Sequence, residues 1–182
     1  ADITTAAWTN NNYTVNVTTA DAAVSVKYLA VGELTSVDTT TQSGLKAIYD
    51  NAQAVTGATV AVDSENNYVI IARVGDDPAV YQHVGTLTPG TNAWYDKTAP
   101  TVDIAEMVAL TGVQDAKNGY SLDVSKLKKE DKLSGIAKVE YSLNGADYTE
   151  FTGDAIALEA QNFNGNVTFK VTDKAGNTAV SE

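Results

Sequence analysis

The stretch "VTDKAGNTAV" (residues 171–180) carries the clearest structural signal in this chain. Apolar and polar residues alternate on both sides of Asp-Lys-Ala-Gly-Asn, whose composition is typical of a tight turn. The Asp173 side chain can hydrogen-bond the turn backbone, and Gly176 or Asn177 can adopt a positive φ. The stretch therefore predicts a β-hairpin in which Val171 and Val180 face the core.

The same alternation recurs along the rest of the chain. The segments that show it are "YTVNVT" (13–18), "VSVKYL" (24–29), "YVIIAR" (68–73), "YSLDVS" (120–125), "AKVEYSL" (137–143) and "NVTFKVT" (166–172). A period of two residues places alternate side chains on opposite faces of a sheet. In 68–73, apolar residues occupy both phases, so we expect that strand to be covered on both faces. The chain is predicted to be all-β, with antiparallel sheets packed as sandwiches.

These segments also form an internal repeat. The matched pairs are 13–18 with 120–125, 24–32 with 137–145, and 68–73 with 167–172. The alignment sets Tyr28 on Tyr141 and Ile70 on Phe169, with the face of each strand preserved. Repetition in the same order predicts two tandem domains, 1–97 and 98–182.

The predicted boundary lies in "YDKTAPTVDI" (95–104). Pro100 cannot donate a backbone hydrogen bond and favours extended geometry in the residue before it, as at a strand start or in a linker. Because the connection is short, we expect little hinge motion between the two domains.

One segment departs from the strand pattern. In "SGLKAIYDNAQAV" (43–55), the apolar residues have helical spacing. We predict a short helix there, lying across an open edge or end of the first sandwich. An irregular crossover is the alternative.

Composition and charge exclude several classes of function. The formal net charge of −11 disfavours nucleic acid and anionic membranes as partners. No apolar run is long enough to span a bilayer, so membrane insertion is not expected. The absence of cysteine excludes disulfides, thiolate metal sites and cysteine nucleophiles. The first residues, "ADITTAAWT", fit the start of a mature secreted protein and equally a fragment of a longer chain.

The sequence offers no catalytic constellation. His83 is the single histidine, and no phosphate-binding, nucleophile-elbow or zinc-protease motif occurs. We expect the neighbouring acids Asp76–Asp77 and Glu130–Asp131 in polar loops, where they cannot flank a sugar as glycosidase carboxylates do. We therefore expect the protein not to be an enzyme, and we expect no cofactor other than calcium.

Calcium is considered because clustered oxygen ligands suit a hard cation. The candidate metal ligands are Asp76, Asp77, Asp96 and Asp131. The alternative interpretation is that these acids are solvated turn residues.

Three aromatic residues lie outside the strand alternation: Trp8, Trp94 and Tyr95. Exposed flat rings can form a platform for a sugar or a protein partner. Alternatively, Trp8 packs into the first sandwich and Trp94 seals the domain junction.

Three motifs carry a family resemblance. The segments "DKTAPTV" (96–102), "LSGIAKVEYSLNG" (133–145) and "FKVTDKAGNTAV" (169–180) resemble, in that order, the bacterial Ig-like (Big-type) repeats of secreted and cell-wall-attached surface proteins. The resemblance covers most of 96–182. Residues 1–95 resemble a divergent relative, because "VGDDPAV" (74–80) stands in place of the closing hairpin motif.

The resemblance implies two tandem immunoglobulin-like β-sandwiches and no reaction. It further implies a secreted or cell-surface bacterial location within a larger multidomain chain. We therefore expect a non-enzymatic module acting as a rigid spacer or adhesion segment. The alternative is a carbohydrate-binding module that uses exposed aromatic residues of the first domain. A polysaccharide or a surface protein would be the partner.

Overall fold

The computed structural model describes residues 7–18, 25–55, 58–105, 113–115, 119–158 and 165–181. The chain divides into two compact units, Ala1–Lys97 and Thr98–Glu182. Every strand pairing within the described sheets is antiparallel. The prediction of an all-β chain is confirmed.

The first unit contains a four-stranded sheet, a separate two-stranded ladder and one α-helix. Its strands are β1 (Tyr13–Asn16), β2 (Ser25–Val31), β3 (Gln53–Ala54), β4 (Thr59–Val62), β5 (Asn67–Val74) and β6 (Val80–Leu87). The sheet has the order β3-β2-β5-β6, and β1 pairs with β4. The helix α1 spans Gln42–Asn51, after a 3₁₀ turn at Leu34–Ser36.

Strand β5 is buried on both faces, as its double apolar phase predicts. Tyr68 and Ile70 pack with residues of β1 and β4 in one core cluster. Val69 and Ile71 belong to a second cluster, formed with α1. The first unit is therefore layered, with the helix on one face of the central sheet and the β1–β4 ladder on the other.

The predicted helix exists but differs in extent and position. It ends at Asn51 because residues 53–54 join β2 as strand β3. Its apolar side packs on a face of the central sheet through Leu45, Ile48 and Tyr49, and not across an edge or end of the unit. At ten residues it is short, and no helix in the described ranges is long and apolar enough to cross a membrane.

Side-chain hydrogen bonds fix the start of α1. The Thr41 hydroxyl accepts from the Gly44 N–H at 3.1 Å, which makes Thr41 the N-cap. The Asp38 carboxylate accepts from the hydroxyls and backbone N–H groups of Thr41 and Thr40. These hydrogen bonds, of which that from the Thr41 hydroxyl contributes most, hold the pKa of Asp38 well below its usual value.

The second unit is a β-sandwich. Its strands are β7 (Thr101–Asp103), β8 (Val113–Asp115), β9 (Gly119–Asp123), β10 (Lys128–Glu130), β11 (Ile136–Leu143), β12 (Thr149–Glu150), β13 (Ala155–Leu158), β14 (Val167–Asp173) and β15 (Thr178–Val180). They form sheets of order β12-β11-β14-β15 and β13-β9-β8, with β7 paired to β10. One core joins the two larger sheets, with Leu122 and Ile156 from one and Val139, Phe169 and Val171 from the other.

The residues matched by the internal repeat occupy equivalent registers in the two units. Tyr28 of β2 lies opposite Ile70 of β5, and Tyr141 of β11 lies opposite Phe169 of β14. The internal repeat aligns the same residues, Tyr28 with Tyr141 and Ile70 with Phe169. Each unit therefore contains the same antiparallel strand pair at its centre.

The closing hairpin forms as predicted, apart from one side chain. Asp173 accepts hydrogen bonds from the Asn177 backbone at 2.9 Å and from its side-chain amide at 2.8 Å. Gly176 takes the positive φ, at 94°. The turn sets Val171 opposite Ala179, and directly paired residues share a face of the sheet. Val171 is therefore buried, but Val180 is 49% exposed, so its predicted inward position is wrong.

Gly44 gives a test of the capped helix start. A Cβ at this position would overlap the backbone oxygen and side chain of Asp38. Helix propensity favours Ala over Gly by about 1 kcal/mol. We nevertheless expect Gly44→Ala to lower the free energy of unfolding by about 1–3 kcal/mol, because the added methyl group overpacks the cap. Urea unfolding measures this change.

Gly85→Ala is the matched control, because its Cβ would meet no atom within 4 Å. We expect this control to change the free energy of unfolding by less than about 0.5 kcal/mol. A Gly44→Ala protein as stable as the parent would refute the proposed packing of Asp38 against the helix start.

Candidate functional site

Two tryptophans meet at one place on the first unit. The Trp8 and Trp94 rings pack edge to face, with centroids 5.3 Å apart and an interplanar angle of 88°. Both side chains are half-buried, so each keeps part of its surface in contact with solvent. We call this feature the Trp8–Trp94 pair. Because the rings are nearly perpendicular, the pair offers separate ring faces, and not one flat surface, on which a sugar ring can stack.

Hydrogen bonds fix the backbone next to Trp8 and at Trp94. The Thr9 N–H donates to the Trp94 carbonyl at 2.9 Å, and the Asp96 N–H donates to the Thr9 carbonyl at 3.0 Å. The Trp94 N–H donates to the Tyr13 hydroxyl at 2.9 Å. Burial raises the pKa of Tyr13, so this hydroxyl stays neutral at physiological pH. The backbone that carries the two indoles is thus held by hydrogen bonds.

A tight turn at 88–93 precedes Trp94. The Thr88 carbonyl accepts from the backbone N–H groups of Thr91, Asn92 and Ala93, each at 3.1 Å. Gly90 has φ +73°, and a Cβ there would lie 3.9 Å from the Trp8 ring. The glycine therefore both permits the turn and leaves one side of the Trp8 ring free of a side chain from that position.

Tyr95 does not join this surface. Its side chain is 3% exposed and packs in the core cluster beside Tyr68 and Val60. Its hydroxyl donates to the Asn12 side chain at 3.3 Å. A ring buried in this way cannot offer a face to a ligand, so the predicted aromatic platform narrows to Trp8 and Trp94.

The predicted metal ligands Asp76 and Asp77 are exposed in the turn between β5 and β6. Asp76 has an exposed carboxylate 3.8 Å from the Arg73 guanidinium, which also donates to the Asp76 carbonyl at 3.0 Å. Neither acid belongs to a cluster of potential metal ligands among the residues that the structure describes. Their surroundings match the alternative interpretation, that of solvated turn residues.

Asp131 lies close to Asp173, which the sequence predicts only as a turn residue. Carboxylate oxygens of Asp131 and Asp173 lie within 4.8 Å of each other. Asp131 accepts from the Leu133 N–H at 3.2 Å and from the Gly135 N–H. Asp173 is 1% exposed and accepts from Asn177 as described above. Two carboxylates so close together repel each other, and a hard cation is one ligand that relieves this repulsion.

The alternation of β14 contained a signal for Asp173 that the turn motif obscured. Phe169 and Val171 point into the core, and Asp173 lies on the same phase two residues further on. An acid on the inward phase of a strand is buried and needs partners. The phase of β14 therefore makes Asp173 a further candidate ligand.

The remaining predicted ligand is Asp96, next to the last residue of the first unit. Its side chain is fully buried, and its N–H donates to Thr9. The four predicted ligands thus divide into two exposed acids and two that are buried or half-buried. Calcium binding stays a prediction.

Neither His83 nor Glu140 is arranged for acid–base chemistry. His83 is exposed, and its Nε2 lies 3.0 Å from the Thr86 hydroxyl. Lys170 and Lys138, at 2.9 and 3.0 Å from the carboxylate oxygens of Glu140, hold its pKa below the usual value. A carboxylate paired in this way is a poor proton donor. The expectation of a non-enzyme stays a prediction.

A calcium titration tests the metal prediction. A cation bound only by the folded protein raises its melting temperature, and a chelator lowers that temperature again. We expect a calcium-dependent rise that Asp131→Asn and Asp173→Asn each abolish. Asp96→Asn tests the other buried predicted ligand. Calorimetry with added calcium and then with a chelator gives the measurement.

Asp76→Asn serves as the control, because this acid is exposed, and we expect it to keep the calcium response. Identical melting curves of the parent protein in calcium and in chelator would rule out the site.

Comparison with known proteins adds no family. No family model matches the chain, and neither a curated protein nor a solved structure is significantly similar to it. The resemblance to bacterial Ig-like repeats therefore rests on the three sequence motifs alone.

Proposed function

We propose that the chain is a non-catalytic module of a bacterial surface protein, where it serves as a rigid spacer or adhesion segment. The three motifs of 96–182 support a relation to Ig-like repeats. The equivalent registers at Tyr28–Ile70 and Tyr141–Phe169 support two related units in series. The net charge of −11 suits a protein that must stay soluble and not self-associate.

The proposal rests on two hydrogen bonds that hold the backbone at the boundary between the units. The Lys97 N–H, in the last residue of the first unit, donates to the Glu65 carboxylate of that unit at 2.7 Å. The Thr98 carbonyl, in the first residue of the second unit, accepts from the Asn177 amide of its own unit at 3.4 Å. Each unit therefore holds the chain up to its last or first residue. A spacer needs a connection with no long flexible segment.

A flexible insert at the boundary tests this proposal. A six-residue Gly/Ser insert between Lys97 and Thr98 adds a flexible segment with a root-mean-square span of about 13 Å. We expect a narrow interspin distance distribution in the parent protein and a clearly broader one in the insertion variant. Because the chain has no cysteine, spin labels attach only at introduced sites. The label sites are Glu33→Cys and Asp147→Cys, because Glu33 and Asp147 are exposed and lie one in each unit.

Double electron–electron resonance measures the distribution. Labelled single-cysteine variants control for contacts between molecules. A parent distribution as broad as that of the insertion variant would contradict the spacer proposal.

A second function is favoured by the Trp8–Trp94 pair. The two half-buried rings pack against each other and hydrogen bonds hold their backbone, so binding a ligand would order few additional side-chain rotors. The acidic chain repels anionic polymers, which favours a neutral polysaccharide over a charged one. We propose stacking of a neutral sugar on this pair as the alternative function, in which the module attaches its parent protein to a polysaccharide.

Native gels cast with soluble glucan, xylan or mannan test this alternative. We expect retardation of the parent protein by at least one of these polymers. Trp8→Ala and Trp94→Ala should each abolish it, because each substitution removes one of the two rings. Circular dichroism melting verifies that both variants are folded.

Tyr148→Ala is the matched control, since it removes an exposed aromatic ring from the second unit. Retardation that persists in both tryptophan variants, or is absent with every polymer, would rule out the sugar site and leave the spacer proposal unaffected.

A further inference from the structure

The edge strand β6 of the first unit carries an unusual set of side-chain contacts. It lies at the end of the sheet order β3-β2-β5-β6 and is eight residues long. An edge strand presents backbone N–H and C=O groups to which a strand of another molecule can pair. Side-chain amides contact several of these backbone groups of β6.

At one end of β6, a side-chain amide occupies the place of a partner strand. The Gln42 Nε2 donates to the Tyr81 carbonyl at 2.7 Å, and its Oε1 accepts from the Tyr81 N–H at 2.9 Å. These are the two hydrogen bonds that an added strand would make with this residue. Gln42 is the first residue of α1, and the Tyr49 and Tyr81 rings pack 5.2 Å apart, so the helix keeps the amide in position.

A second amide covers the other end of the strand. The Asn92 Nδ2 donates to the Thr86 carbonyl at 2.9 Å. Its Oδ1 accepts from the Thr88 N–H, immediately after β6. Asn92 belongs to the tight turn at 88–93, whose backbone bonds to Thr88 fix its position. The edge is thus covered near both of its ends.

A β-bulge interrupts the edge between these amides. Ile71 lies opposite His83 and Ile70 opposite Gly85, so Val84 is the extra residue. A bulge increases local twist and breaks the register that an added strand would follow. Since backbone direction alternates along a strand, the His83 N–H faces the same way as that of Tyr81. His83 is therefore the outward-facing position that remains between the two covered ones.

We propose that Gln42 and Asn92 act as edge guards, which prevent a second copy of this chain from pairing with β6. The guards supply the hydrogen bonds that strand addition would offer, so addition brings no net gain at Tyr81 or Thr86. A protein held at high local concentration on a surface needs such protection against edge-to-edge association.

The test compares the parent protein with the double variant Gln42→Ala/Asn92→Ala by light scattering over a concentration series. We expect a monomer for the parent and a concentration-dependent dimer for the double variant. Adding His83→Pro to the double variant should restore the monomer. Proline removes the outward N–H at the edge without removing a hydrogen bond to β5.

Asn51→Ala/Asn67→Ala is the matched control. It also removes two side-chain amides, which donate to the Ala47 and Gly32 carbonyls at 2.8 and 2.9 Å and not to β6. We expect this variant to stay monomeric. Dimerisation of the control as well would attribute association to lost stability and overturn the proposal.

Amide hydrogen exchange gives a readout that does not depend on dimer formation. In Gln42→Ala at low concentration, the Tyr81 N–H should exchange about tenfold faster, because its hydrogen-bond acceptor is gone. The neighbouring Gln82 N–H, which faces β5, should keep its protection. The proposal fails if Tyr81 exchange is unchanged, if the folded double variant is monomeric at every concentration, or if the parent protein already dimerises.

Discussion

Side chains leave β5 in two opposite directions, and both sets are apolar. Tyr68 and Ile70 need a cover on one face of the sheet, and Val69 and Ile71 need one on the other. The β1–β4 ladder and α1 supply these covers. The position of α1 brings Gln42 to the β6 edge, and the ladder side places Tyr13 where it accepts the Trp94 N–H. The proposed aromatic site and the edge guards thus both depend on the burial of β5 on its two faces.

Short-range sequence patterns predicted the strands, the helix and the last hairpin. Alternation identified the strands, helical spacing identified α1, and the Asp-Lys-Ala-Gly-Asn turn identified the last hairpin. The error at Val180 arose because the inward phase was read from alternation, whereas the turn geometry sets the register. The helix end was misplaced for a similar reason, since pairing with β2 removed residues 53–54 from the helix.

The candidate sites were harder to predict, because their members are far apart in the sequence. Trp8 and Trp94 were identified as aromatic residues outside the strand pattern, but no periodicity relates positions so distant. Tyr95 is buried although its neighbour Trp94 is half-buried, because successive side chains of an extended segment point in opposite directions. Asp173 was overlooked beside Asp131 because its turn role accounted for it. The edge contacts of Gln42 and Asn92 gave no sequence signal, since polar amides are ordinary at a helix start and in a turn.

The backbone segment that fixes the tryptophans has a mechanical consequence. Thr9 and Tyr95 form a parallel bridge, so the stretches of chain around these two residues lie side by side and run in the same direction. A force that pulls these two stretches apart along their length loads the Thr9–Trp94 and Asp96–Thr9 hydrogen bonds in shear, together and not in succession. Rupture under tension is governed by the rate of unfolding. Because these hydrogen bonds break together, extension along this direction meets a higher barrier than it would if they broke one at a time.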